Sequence, residues 1–143
     1  MPAVSKYKSI VIDDDEISNM LFQISIKDLK IDSELDFFLK PTDAIDYLTS
    51  IKDPAMKPNA LFIDINMPLI SGWKVIETLD EKGFFEGGVA IYVAILSSSI
   101  SSKDKQRATE NKHVSEFISK PISLMKLKNI YTKIGEENLP HLS

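Results

Sequence analysis

Acidic residues, one serine and one lysine follow the apolar runs of this sequence at positions where their side chains could act together. Asp13 and Asp14 come directly after the first apolar run, and Asp64 closes the run in the middle of the chain. Ser97 follows the longest apolar run, and Lys120 follows the last one. In an open parallel sheet the carboxyl ends of the strands share one edge, where ligand sites gather. We therefore expect these five side chains to meet at one edge of a sheet.

The residue types at this edge suit the transfer of a phosphoryl group. Three carboxylates, in a chain without cysteine, offer the hard oxygen ligands that Mg²⁺ prefers. An aspartate can also attack phosphorus to give an aspartyl phosphate, and Asp64 is the natural nucleophile because it stands alone on its strand. Phosphoryl transfer depends on positioning and on charge neutralisation, which an ammonium and a hydroxyl donor supply. Lys120 and Ser97 provide those two groups.

The hydrophobic pattern predicts five strand and helix pairs that would position these residues. Strands alternating with amphipathic helices favour an α/β fold, in which an open parallel sheet is covered on both faces through right-handed crossovers. The fourth helix has only Ala108 as an interior apolar residue, so weak anchoring is expected there. The predicted strands cover residues 9–12, 35–39, 61–64, 89–96 and 114–119, and the predicted helices begin near residues 16, 41, 72, 103 and 124.

Composition restricts the classes of protein to which the chain could belong. With 143 residues, of which 43% are hydrophobic, it has the size and core of one ordinary domain. The absence of cysteine and of an apolar run near 18 residues favours a cytoplasmic protein that is not inserted in a membrane. A net charge of −4 without a basic run argues against direct binding of nucleic acid.

Taken together, these motifs resemble the receiver domain of two-component response regulators. The resemblance rests on Asp13-Asp14, on Asp64-x-Asn66-x-Pro68 followed by Ser71-Gly72, on a strand ending at Ser97, and on Lys120-Pro121. It implies a flavodoxin-like (βα)5 fold with the parallel strand order 2-1-3-4-5. It covers residues 7–135, which we expect to form a stand-alone domain like the chemotaxis regulators. Residues 136–143 would be a short C-terminal tail after a helix capped by Gly135, without an output domain.

The family resemblance also implies a role for each acidic residue. Asp64 would accept a phosphoryl group from a phosphohistidine of a sensor histidine kinase or of a histidine phosphotransfer protein. Mg²⁺ would be held by Asp14, Asp64 and the backbone carbonyl of Asn66, while Asp13 would act through a water molecule. Such a domain is a phosphoprotein of phosphorelay signal transduction. It is a phosphoacceptor that assists its own phosphorylation and dephosphorylation, and it is not an enzyme in the usual sense.

The remaining roles implied by the resemblance concern signalling. Lys120 would pair with Asp64 before phosphorylation and with the phosphoryl oxygens afterwards, and its bond to Pro121 is often cis in such domains. Ser97 would move inward to bind the phosphoryl group, and Phe117 stands where the family has its switch aromatic. Here serine replaces the common threonine and phenylalanine replaces tyrosine, so the aromatic side chain lacks a hydroxyl. Ser97 is preferred to Ser98 by register only.

We expect the output to be a downstream protein that docks on the face formed by the fourth helix, the fifth strand and the fifth helix. Two alternatives remain. A phosphatase of the haloacid dehalogenase type would use Asp13 as its nucleophile, because residues 10–15 also fit an apolar strand followed by Asp-x-Asp. A degenerate receiver would bind partners independently of phosphorylation, although its set of acids, hydroxyl and lysine is intact.

Overall fold

Five parallel strands form one sheet, and helices connect them in sequence. The computed structural model describes residues 6–99 and 101–138. The sheet has the order β2-β1-β3-β4-β5, so the predicted flavodoxin-like α/β fold is confirmed. The strands are β1 Tyr7–Ile12, β2 Ser33–Phe38, β3 Ala60–Asp64, β4 Tyr92–Ser97 and β5 Glu116–Ser119; the helices are α1 Glu16–Asp28, α2 Pro41–Ser50, α3 Gly72–Glu81, α4 Ser102–Glu110 and α5 Leu124–Asn138.

The central strands are apolar throughout because both faces of the sheet are covered. Alternate residues of a strand point to opposite faces. In β3, Leu61 and Ile63 therefore join the core under α2 and α3, whereas Phe62 joins the core under α1 and α5. Each helix buries one side against this sheet. Within the described ranges, we find no helix with the length and apolar character needed to cross a membrane.

Polar residues at the loop-to-helix junctions set where three of the helices begin. Asp15 caps α1 by accepting hydrogen bonds from the backbone N–H groups of Ile17 and Ser18. The hydroxyls of Ser71 and Ser101 cap α3 and α4 in the same way. These caps satisfy backbone donors that the first turn of a helix leaves free. They fix the helix starts directly beside the carboxyl edge of the sheet.

Several predicted boundaries differ from the structure. β1 and β2 begin earlier than predicted, at Tyr7 and Ser33, and β2 ends at Phe38 and not at residue 39. β4 begins at Tyr92 and not near residue 89, because Gly87 and Gly88 form a positive-φ turn that precedes it. β5 is limited to Glu116–Ser119. α5 does not end at Gly135 but continues to Asn138, so residues 136–138 belong to the helix and not to the tail. The rest of the predicted tail, residues 139–143, lies outside the described residues.

Trp73 of α3 anchors α4, which has little apolar surface of its own. The buried residue of α4 is Ala108, as the sequence indicates. The indole Nε1 of Trp73 donates a hydrogen bond to Asp104 at 3.2 Å, and the guanidinium of Arg107 lies over the indole ring at 4.9 Å. These contacts attach α4 to α3 and supplement the limited packing of α4 on the sheet.

Candidate functional site

Three carboxylates meet at the carboxyl edge of the sheet, as the sequence predicts. Their ligand oxygens in Asp13, Asp14 and Asp64 lie within 4.8 Å of one another. Only 1% of Asp13 and 5% of Asp64 is exposed to solvent, whereas Asp14 is exposed. The site thus has a buried side, formed by two acids, and one accessible acid at its mouth.

Strand pairing explains why acids so distant in sequence become neighbours. β1 and β3 are adjacent and parallel, and Ile12 pairs with Ile63. The next residues, Asp13 and Asp64, therefore stand side by side at the carboxyl ends of the two strands. Asp13 continues the strand direction because its backbone N–H donates to Phe38 of β2 at 3.1 Å. The register of the sheet therefore places both carboxylates at the same edge.

Gly72 supports the site because its backbone packs directly against Asp64. A Cβ atom at position 72 would lie 2.5 Å from the backbone oxygen of Asp64, closer than any ordinary contact. The N–H of Gly72 also donates to the carbonyl of Ile65 at 2.9 Å. The start of α3 is thus held against the acidic residue. Only glycine fits at position 72 without moving one of the two segments.

Lys120 reaches the two buried acids from the end of β5. Its Nζ donates to Asp13 Oδ2 at 2.8 Å and lies 3.9 Å from Asp64 Oδ2. The direct hydrogen bond is therefore to Asp13, whereas the resemblance implies Asp64 as the partner. The peptide bond between Lys120 and Pro121 is cis. One ammonium thus faces both carboxylates, and it is nearer to the acid of β1.

Burial and charge shift the pKa values of this group. Burial raises the pKa of Asp64 to about 6, the charge of Asp13 adds to the shift, and Lys120 opposes it. For Lys120, burial acts to lower the pKa, but the hydrogen bond and charge of Asp13 together raise it. The lysine therefore remains cationic at neutral pH. Asp64 is predominantly ionised at pH 7, although its ionised form is less stable here than it would be in water.

Ser97 is the buried hydroxyl beside this site, and Ser98 is exposed. The Ser97 hydroxyl donates to the carbonyl of Ser99 and accepts from the Ser99 N–H at 3.2 Å. The Ser97 carbonyl accepts from the N–H of Lys120 at 2.8 Å, which joins β4 to the lysine segment. The hydroxyl thus bonds to its own loop, and it must exchange these partners before it can bind a ligand at Asp64.

Phe117 lies partly buried at the groove between α4 and β5. It packs against the core cluster under α2 and α3, and it lines the groove together with Lys105, Ala108 and Thr109. The side chain therefore occupies neither a fully exposed nor a fully buried position. A small rotation would change the shape of the surface that α4 and β5 present.

The donor set at the edge fits a hard divalent cation. Carboxylate oxygens from Asp13, Asp14 and Asp64 converge there, and Asn66, two residues beyond Asp64, is exposed beside them. Mg²⁺ prefers such oxygen ligands and keeps several waters, which suits a site with an open mouth. A cation would also neutralise acids that otherwise repel one another.

Two residues, Gly72 and Asn19, contact the acids of the site but were not identified from the sequence as functional positions. Gly72 is part of the recognised motif, but only the packing shows its contact with Asp64. Asn19 is 7% exposed, and its Nδ2 donates to the backbone carbonyl of Asp13 at 3.0 Å. A polar residue on the same helix face as the buried Phe22 and Ile26 is the signal that could have revealed it.

Comparisons with known proteins agree with this geometry. A family model described as the response regulator receiver domain matches residues 10–132. The probable methanogenesis regulatory protein FilR2 of Methanothrix harundinacea is 26% identical over 128 residues, covering 89% of this chain and 80% of that protein. Hybrid signal transduction histidine kinase L of Dictyostelium discoideum is 31% identical over 132 residues, which cover 90% of this chain but only 7% of the kinase.

A solved structure extends the likeness to three dimensions. The crystal structure of a two-component response regulator from Cytophaga hutchinsonii superposes with a TM-score of 0.81 at 31% identity. The alignment covers 92% of this chain and 98% of that one. The fold of this chain therefore has a counterpart of similar length in a two-component response regulator.

Proposed function

We propose that this chain, which belongs to the response regulator receiver domain family, accepts a phosphoryl group on Asp64 and signals through the resulting conformational change. The observation that carries the proposal is the convergence of Asp13, Asp14 and Asp64 around the ammonium of Lys120. The receiver unit is proposed to span residues 7–135. Its phosphoryl donor would be a sensor histidine kinase or a histidine phosphotransfer protein.

In the proposed reaction, a carboxylate oxygen of Asp64 attacks the phosphorus of a phosphohistidine. The new bond joins that oxygen to phosphorus, the P–N bond breaks, and the departing imidazole keeps the electron pair and takes a proton from solvent. Lys120 then faces the phosphoryl oxygens from its position 3.9 Å from the Asp64 carboxylate. Its positive charge offsets the negative charge that the transfer brings into the site.

Mg²⁺ bound by Asp14, Asp64 and the backbone carbonyl of Asn66, with Asp13 acting through a water, would neutralise charge on the phosphoryl oxygens. The protein supplies the geometry, because strand pairing fixes Asp13 and Asp64 while the exposed Asp14 completes the mouth of the site. Ionised Asp64 is the nucleophilic form, and a cation held by these residues would favour that form by lowering the pKa of Asp64. The chain thereby assists its own modification without acting on a separate substrate.

The proposed switch begins at Ser97 and reaches the surface at Phe117. On phosphorylation, the Ser97 hydroxyl exchanges its bonds to Ser99 for a bond to the phosphoryl group. The resulting movement of the β4–α4 loop changes the space available to Phe117 in the groove between α4 and β5. A downstream protein would recognise the face of α4, β5 and α5, and it shifts the equilibrium only if its affinities for the two states differ.

The experiment that tests the proposal is intact-mass analysis after incubation with Mg²⁺ and acetyl phosphate or phosphoramidate. The wild type is expected to gain one phosphoryl group only when Mg²⁺ is present, and Asp64→Ala is expected to gain none. A wild type that remains unmodified with both donors would contradict the proposal and favour the phosphorylation-independent binding module.

The same experiment separates the phosphatase alternative. An adduct that persists in Asp64→Ala but disappears in Asp13→Ala would identify Asp13 as the nucleophile. Continuous turnover of a phosphate ester would support the phosphatase alternative, whereas a receiver is modified once and then resets slowly.

The proposed docking face of α4, β5 and α5 is tested separately by amide NMR spectra, in which phosphorylation is expected to shift signals of α4 and β5. Unchanged signals there would contradict the proposed output surface.

A further inference from the structure

Asn19 is a buried polar residue on a face of α1 that is otherwise apolar. It is 7% exposed, and it shares that face with the buried Phe22 and Ile26. Burial of an amide among apolar side chains is unfavourable unless its hydrogen bonds are replaced. Its Nδ2 donates to the backbone carbonyl of Asp13 at 3.0 Å. The amide therefore ties the helix to the first acid of the site.

The carbonyl that Asn19 holds belongs to the peptide unit between Asp13 and Asp14. A peptide unit is planar, so fixing its carbonyl also fixes the N–H and the Cα of Asp14 on the other side. The Asp13 carboxylate is held separately: its Oδ1 accepts from the Asp15 N–H at 2.9 Å and its Oδ2 from Lys120. Asn19 is thus the side chain that orients the link between the two adjacent acids.

The other polar atom of Asn19 lacks a partner among the described residues, and Asn19 lines a cavity together with the lysine. Within the described part of the chain, Asn19 Oδ1 is a buried atom without a hydrogen-bond partner. Asn19 lines a cavity of about 50 Å³ that Asp13 and Lys120 also line, between α1 and the segment that follows β5. A buried polar atom without a partner costs stability, so packing of α1 alone does not favour an amide at this position. Asn19 therefore contacts Asp13 and shares a cavity with both Asp13 and Lys120.

We propose that Asn19 is a positioning residue that orients Asp13 and Asp14 for Mg²⁺ binding and phosphoryl transfer at Asp64. The proposal rests on the function proposed above and assigns to α1 a part in the chemistry beyond packing. Residues that orient metal ligands through a hydrogen bond commonly change metal affinity by tenfold or more when they are replaced. Loss of the Asn19 amide would free the peptide unit after Asp13 and misdirect the exposed Asp14 carboxylate.

Asn19→Leu removes the amide but keeps its approximate volume. It removes the unsatisfied oxygen but also the donor to the Asp13 carbonyl, and because these two effects oppose each other, the thermal unfolding midpoint without Mg²⁺ is expected to fall less than in Phe22→Leu. The Mg²⁺ dissociation constant, measured by isothermal titration calorimetry, is expected to rise about tenfold or more. The phosphorylation rate with acetyl phosphate at subsaturating Mg²⁺ is expected to fall by a similar factor and to recover in part at high Mg²⁺.

Phe22→Leu is the matched control, because Phe22 lies on the same face of α1 and lines the same cavity. It is expected to lower the unfolding midpoint while leaving Mg²⁺ affinity within twofold of the wild type. Equal Mg²⁺ affinity in Asn19→Leu and wild type would overturn the proposal, and Asn19→Ala provides the same comparison if the leucine variant does not fold. A wild type that binds no Mg²⁺ and gains no phosphoryl group would instead overturn the proposed function itself.

Discussion

The two ends of the sheet contain buried polar groups of opposite kinds. Near the amino ends of β1 and β2, the Ser9 hydroxyl lies 2.5 Å from the Tyr131 hydroxyl and 2.9 Å from that of Ser33. This hydroxyl cluster is neutral, and burial raises the pKa of Tyr131, which keeps it so. At the carboxyl end, two buried carboxylates face one lysine. The first end satisfies its polar groups internally, and the second leaves negative charge for a ligand to neutralise.

This difference separates polar groups that stabilise the fold from charged groups whose mutual repulsion reduces its stability. Neutral hydroxyls that bond to one another need no outside partner. Buried acids that repel one another favour a bound cation, since the cation relieves the repulsion. Substitutions of these groups at the two ends should therefore change the unfolding free energy in opposite directions, and only those at the carboxyl end should have effects that depend on Mg²⁺.

The largest change in unfolding free energy is expected for a glycine at the carboxyl end of the sheet, Gly72, and a glycine near the amino end, Gly135, serves as its comparison. In Gly72→Ala the new methyl group would meet the backbone oxygen of Asp64 at 2.5 Å, so a loss of about 2–3 kcal/mol in unfolding free energy is expected. In Gly135→Ala it would meet the Tyr7 hydroxyl at 2.7 Å, and the tip of a side chain can move aside. Urea denaturation of both variants measures the difference.

Gly135→Ala should lose little stability or gain some, because alanine favours a helix over glycine by about 1 kcal/mol. Gly72→Ala should in addition slow phosphorylation with acetyl phosphate, since Asp64 is displaced. If both variants lost equal stability, the tight approach at Gly72 would not be a special property of the acidic end.

Neutralising Asp64 should stabilise the protein when Mg²⁺ is absent. The folded-state pKa of Asp64 is raised to about 6 from an ordinary value of 3.8. Allowing for solvent screening, Asp64→Asn is expected to gain about 1–2 kcal/mol in unfolding free energy at pH 7. Because the exposed Asp14 lies at the mouth, Asp14→Asn should gain less.

The pH dependence of that gain has a definite sign. Well above pH 6 the Asp64 carboxyl is ionised in both the folded and the unfolded state, so the advantage of Asp64→Asn is complete. As the pH falls from 6 toward 4, the folded wild type takes up a proton before the unfolded chain does, and its stability rises toward that of the variant. Urea denaturation between pH 4 and pH 8 would contradict this account if the gap widened at low pH.

Tyr131→Phe tests the neutral end. It removes the hydroxyl that lies 2.5 Å from Ser9, and a loss of about 1 kcal/mol in unfolding free energy is expected for a buried hydrogen bond. Its Mg²⁺ affinity and phosphorylation should match the wild type, because the hydroxyl cluster is remote from the acids. A change in either property would show that the two ends are coupled through the sheet. Thermal unfolding and calorimetric titration measure the two properties.

The smallest expected effect concerns the loop that follows Asp64. Leu69 has a φ of 75° and is 96% exposed, although leucine is disfavoured in that left-handed region. Asparagine tolerates the region better, so Leu69→Asn is expected to gain about 0.5–1 kcal/mol in unfolding free energy. Urea denaturation checks the value. A loss of stability would indicate that the loop does not hold its strained conformation in solution.

Patterns of local sequence were sufficient for most of the fold. The strand and helix alternation predicted the sheet, and the residues around Asp13, Asp64 and Lys120 predicted its chemical edge. Element boundaries were predicted less accurately. The apolar residues from 89 onward predict a strand, but β4 begins only at Tyr92, after the positive-φ residues Gly87 and Gly88. Apolar character indicates which residues are buried, but it does not determine which of them form hydrogen bonds with a neighbouring strand.

The sequence by itself determined the residue types at the site and the periodicities that place them at one edge, because both follow from local chemistry and strand alternation. Only the tertiary structure decided which acid Lys120 contacts, why residue 72 must be glycine, and where the Asn19 amide is directed. Those facts depend on distances between segments that are far apart in the chain. Such distances are set by the packing of helices on the sheet, which depends on several segments together and cannot be inferred from any single stretch of sequence.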